Sequence, residues 1–146
     1  MPFTLEGMHP DPASATPLRV VVVDADDRVR ESLSRLLCIG DRIAVVGTAG
    51  ETEPALAVVT ATEPDVVVVD PRVPGMDGGA AFIRQLRDGA PNARVLVMSA
   101  SDSAQLGEVA SAADGVVRKT FRATELLTAI LGAAALVICD GLLALG

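Results

Sequence analysis

Apolar residues in this chain come as short unbroken blocks separated by longer stretches of helical period. Val20–Val23, Val66–Val69 and Val95–Met98 are continuous apolar runs, and Ile43–Val46 and Val116–Val117 are shorter ones. Blocks of that length, rich in β-branched residues and without polar alternation, predict strands buried on both faces. Between them, Val29, Leu33, Leu36 and Leu37 recur at helical spacing behind Asp26 and Asp27, residues suited to capping a helix N-terminus. Pro54 stands where a helix's first turn tolerates it, with Leu56 and Val59 following. Three further stripes are Phe82, Ile83 and Leu86, then Leu106, Val109 and Ala113, then Leu126, Leu127 and Ile130. Strand and helix therefore alternate five times with short connections and no internal repeat. That order predicts parallel strands joined by right-handed crossovers, an open doubly wound α/β sheet.

Composition narrows the function. At 146 residues the chain is one domain's worth of sequence, half of it hydrophobic but with only three aromatic residues, all Phe. Its core is thus built from Val, Leu, Ile and Ala. A net charge of −7 is the wrong sign for gripping nucleic acid through its phosphates. Cys38 and Cys139 are expected to be packing residues in a chain that needs no disulfide staples, which fits a reducing cytoplasm. Residues 1–17 carry Glu6, Asp11 and several prolines, unlike a secretory signal, and are expected to be a disordered leader. His9 lies there alone, which argues against a histidine-based site. Leu126 to Leu145 is almost wholly apolar, but Asp140 and Gly141 interrupt it. It is expected to be a helix followed by an apolar tail, 133–146, and not a membrane span.

In doubly wound sheets, ligands gather at the carboxyl ends of the strands. Here the first run stops at Asp24, followed by Ala25, Asp26 and Asp27; the third stops at Asp70, the fourth at Ser99 and the fifth at Lys119. Crowded carboxylates call for a counter-charge, which a Mg²⁺ ion and a lysine can supply. A cation beside a carboxylate and a hydroxyl is also where a phosphoryl group can be held and transferred.

The stretch from Pro64 to Gly78 resembles the phosphoacceptor strand and loop of the receiver domain of two-component response regulators, and the likeness extends from about Leu18 to Leu131. The resemblance implies a (βα)5 flavodoxin-like fold with strand order 2-1-3-4-5 and a receiver domain at 18–132. It makes Asp70 the phosphoacceptor, Ser99 the hydroxyl that moves onto the phosphoryl oxygens, and Lys119 the ion-pair partner of the acceptor. It places Mg²⁺ on Asp24, Asp70 and the main-chain carbonyl of Arg72, with Asp26 as a further candidate. It implies a sensor histidine kinase as phosphodonor, control of transcription in the manner of the LuxR/NarL-type subfamily, a homodimer, and DNA contact only through a C-terminal domain for which the residues after Leu131 are too few. The domain would be regulatory and not an enzyme.

Three positions depart from the family pattern. The second acid after the first strand is Ala25, which predicts weakened Mg²⁺ binding and slow or absent phosphorylation. Thr120 replaces the Pro common after the lysine, so a cis peptide there is not expected. Val116 stands where the family often has an aromatic ring. Two other readings follow: a degenerate receiver that signals through protein contacts without phosphorylation, and a haloacid-dehalogenase-like phosphatase with Asp24 as nucleophile and Asp26 as acid/base. The second leaves the Asp70 loop without a role.

Overall fold

A computed structural model describes residues 16–73, 80–99, 107–119, 122 and 124–132. Five strands, β1 (Leu18–Val23), β2 (Ile43–Ala49), β3 (Val66–Val69), β4 (Arg94–Ser99) and β5 (Gly115–Arg118), alternate with helices α1 (Asp27–Leu37), α2 (Thr52–Thr62), α3 (Ala81–Gly89), α4 (Glu108–Ala112) and α5 (124–132). All strand pairs are parallel and the order is β2-β1-β3-β4-β5, as the alternation and the resemblance imply.

Successive strand residues point to opposite faces, so an all-valine strand feeds two cores at once. Val21, Val23, Val67, Val69, Val95 and Val97 pack on α2 and α3 through Ala55, Val59, Phe82, Ile83 and Leu86, with Val109 of α4 beside them. Val20, Val22, Val66, Val68, Leu96, Met98 and Val117 face the other way, onto Leu33 and Leu37 of α1 and Leu126 and Ile130 of α5. Burying each such side chain contributes about 1.5–3 kcal/mol, so β1, β3 and β4 anchor the sheet.

Three sequence expectations are corrected. β2 and β5 are not buried on both faces: they are the sheet edges, half-buried along much of their length, because no further strand covers them. Val116 is consequently 38% exposed. β2 also runs on past Val46 to Ala49, with a register shift opposite Val20 and Val21. Cys38 is exposed and not a packing residue, since it caps the C-terminus of α1 where the chain turns to solvent through Gly40 at φ 85°. His9, Cys139, Asp140, Leu106, Thr120 and the loop 74–79 lie outside the described residues, as do most of the expected leader and the expected tail. Among the described residues no helix is long and apolar enough to cross a membrane.

Candidate functional site

β1 and β3 are neighbours in register, Val23 beside Val69, so the residues that follow them, Asp24 and Asp70, emerge together at the carboxyl rim. The Asp24 N–H donates to the Ala49 carbonyl (3.0 Å) and the Asp70 N–H to the Val23 carbonyl (2.9 Å), which extends the ladders one residue beyond each strand. Both aspartates then fold their carboxylates back onto the turn that follows: Oδ1 of Asp24 accepts the Asp26 N–H at 2.9 Å, and Oδ1 of Asp70 accepts the Arg72 N–H at 2.8 Å. These Asx turns satisfy backbone donors where the ladder ends and fix the direction of each carboxyl group. The Arg30 guanidinium steadies the first turn, donating to the Asp24 carbonyl at 2.7 Å.

Lys119, which follows β5, completes the rim. Its backbone N–H donates to the Ser99 carbonyl at 2.8 Å, tying it to the end of β4. Its Nζ bridges both acids, 2.6 Å from Asp24 Oδ2 and 2.5 Å from Asp70 Oδ2. All three side chains are at least nine-tenths buried, with 3%, 4% and 6% exposure for Asp24, Asp70 and Lys119. An ammonium between two carboxylates at those distances is a charge-assisted pair in a place water scarcely reaches. Burial pushes the Asp70 carboxyl up, but the hydrogen bonds from Arg72 and Lys119 outweigh it and hold the group below its ordinary value. Burial likewise disfavours the charged Lys119, yet Asp24 and Asp70 raise its pKa above the usual lysine value. Ser99 is buried at the end of β4, on the same rim.

The structure thus brings Asp24, Asp70 and Lys119 into direct contact and sets Ser99 beside them in the sheet. Asp26 goes elsewhere: it is the N-cap of α1, its Oδ1 accepting the N–H groups of Arg28 and Val29 at 2.9 and 3.2 Å. The residue that sequence reasoning missed is the side chain of Arg72. Its guanidinium lies on the Asp70 carboxylate, Nε 3.3 Å from Oδ1 and Nη2 3.2 Å from Oδ2, and its own pKa is raised by that carboxylate. The available signal was an arginine two residues after a strand-end aspartate, the separation an Asx turn folds back.

The chain belongs to the response regulator receiver family, whose domain model matches residues 20–131. Over 116 residues, 77% of this chain and 52% of the relative, it is 37% identical to the DNA-binding transcriptional activator DevR/DosR of Mycobacterium tuberculosis. The solved signal receiver domain of NarL from Mycobacterium tuberculosis superimposes with a TM-score of 0.72 at 36% identity, covering 82% of this chain and 97% of that one. Over 89 residues, 61% of this chain, it is also 44% identical to a protein-glutamate methylesterase/protein-glutamine glutaminase of Anaeromyxobacter dehalogenans, of which the match covers 25%. The chain spans about half the length or less of these curated relatives. It is a receiver domain of the two-component type; such domains are mostly regulatory, and some relatives carry an enzyme alongside. Response regulators work with sensor histidine kinases and, through an output domain, with DNA.

Receiver domains generally bind Mg²⁺ at an acidic pocket. The donors present here do not fit a divalent ion as arranged. With Ala25 contributing no carboxylate, the described residues offer two carboxylates, Asp24 and Asp70, beside the main-chain carbonyl of Arg72, and all four carboxylate oxygens already accept protein donors. Among the described residues no group of three or more acidic, histidine or cysteine side chains is arranged to hold a metal ion.

Proposed function

We propose that this domain accepts a phosphoryl group on Asp70 from a sensor histidine kinase and thereby changes the surface it offers to a protein partner, with transcription as the output. The supporting observation is the buried Asp70 carboxylate, kept ionised and aimed by Lys119 and Arg72 at the rim of a receiver sheet. An Asp70 oxygen attacks phosphorus in line, the new O–P bond forming as the N–P bond of the phosphohistidine breaks and the imidazole takes up a proton. The ammonium of Lys119 offsets the charge of the transferred group, and the Ser99 hydroxyl is the donor for its new oxygens. That capture draws on the loop after β4 and so alters the α4–β5 side of the domain.

Residues 18–132 form the receiver unit, preceded by a leader and followed by an apolar tail that serves as linker or contact with a second copy; the protein works in the cytoplasm, away from membrane, and reaches DNA only through a separate domain. The domain itself is not an enzyme. A degenerate receiver that signals without phosphorylation is the second reading, favoured by Ala25 and by the guanidinium on Asp70. The dehalogenase-type reading assigns no role to Asp70, which is as buried as Asp24.

One experiment separates the three. The protein is incubated with MgCl₂ and either acetyl phosphate or a histidine kinase supplied with ATP, and any acyl phosphate is located by peptide mass. Label on Asp70 is expected; label on Asp24 overturns the reading in favour of the phosphatase, and no label in favour of the unphosphorylated module.

A further inference from the structure

In the acceptor pocket, two carboxylates, Asp24 and Asp70, face two cations, Lys119 and Arg72. Among the described residues, the pocket's charges are therefore balanced by these side chains. Among the described residues Asp26 is also near Arg72, and its carboxylate is turned to the N-terminus of α1, where backbone amides answer it. Two residues together produce this state. Ala25 removes a negative charge from the rim, and Arg72 adds a positive one by hydrogen-bonding Asp70 through both Nε and Nη2. A guanidinium fork is always charged and matches the two oxygens of a carboxylate, so it can answer Asp70 where a hard ion would otherwise have to.

We propose that Arg72 is the resident cation of this pocket and competes with divalent metal ions for the Asp70 carboxylate. The inference deepens the phosphoacceptor reading by naming what controls the same site. A divalent ion entering the resting pocket must displace the Arg72 hydrogen bonds and leaves an excess of positive charge beside Lys119. The side chain of Arg72 is 75% exposed, so it can swing out without disturbing the core. Arg72 is thus a tethered counter-ion that sets a threshold for metal entry, and for the phosphoryl group that needs the same oxygen.

The test is a calorimetric titration of the whole chain with MgCl₂ in four forms: wild type, Arg72→Gln, Ala25→Asp, and the two changes combined. Arg72→Gln is expected to tighten Mg²⁺ binding by about tenfold in both backgrounds, equivalent to ~1.4 kcal/mol. The double variant binds tightest. Thermal melts provide a second readout: millimolar MgCl₂ raises the Tm of the double variant and leaves wild type unmoved. If Arg72→Gln changes the dissociation constant by less than about threefold in both backgrounds, the guanidinium is not the competitor and the proposal is overturned. Neither measurement involves phosphoryl transfer. Failure to label Asp70 with a phosphodonor therefore sinks the acceptor reading alone, while an unchanged metal affinity sinks only the competition.

Discussion

Lys119 answers two buried carboxylates with one ammonium, and no other cation touches Asp24 through its carboxylate among the described residues. Removing it leaves both acids in a nearly dry site. Lys119→Met, which keeps the stem and deletes the charge, is expected to destabilise the fold by about 3 kcal/mol, the typical cost of orphaning a buried ion-pair partner. Urea denaturation measures that loss. Carboxyl ¹³C titration of Asp70 should show its pKa moving up in the same variant, because the groups that hold it down are reduced to Arg72 alone. Asp24, Asp70, Ser99 and Lys119 were each readable from the chain, since each stands where a valine-rich run stops, and a strand's end has a fixed place on the rim. The guanidinium of Arg72 was not readable in that way: its position depends on the Asx turn at Asp70, a local backbone geometry that hydrophobic spacing does not encode.

Strands and helices carry a second lesson about what a pattern reveals. The buried centres of β1, β3 and β4 were legible because burial on both faces writes an unbroken apolar run, though β1 begins earlier, at Leu18, and β4 runs from Arg94 to Ser99, while the edges β2 and β5 carry the same valines with less cover. The register shift in β2 was likewise silent in the sequence. It sets Gly47 beside Val21 and under α2, where an added Cβ would lie 2.4 Å from Cγ1 of Val58. Gly47→Ala must therefore push β2 and α2 apart, at an expected cost of about 1–3 kcal/mol by chemical denaturation. Val58→Ala removes the colliding methyl, so the double variant should recover most of that loss, a coupling that a remote or purely conformational effect would not show. At the neighbouring helix, Asp26→Ala deletes the N-cap of α1 and should lower stability by ~1 kcal/mol in the same assay.

Across the whole domain, the lysine bridge makes stability depend on pH in a way that can be signed. The Asp70 pKa lies below its unfolded value near 3.8, so its contribution is complete above that value and fades as pH falls through the folded one. The Lys119 pKa lies above its unfolded value of 10.5, so its contribution is complete below that and fades as pH rises through the folded one. The Tm difference between wild type and Lys119→Met should accordingly be constant from about pH 5 to about pH 9 and shrink outside that window. A scan of melting curves for the two proteins checks it.

The bridge also spans the polypeptide: Lys119 meets partners 95 and 49 residues earlier. A nascent chain that has emerged only as far as β4 already carries both buried aspartates, but without the ammonium that pairs them. The pocket is therefore complete only once β5 has joined the sheet, and any opening that peels that last strand away leaves two acids facing each other without their shared cation.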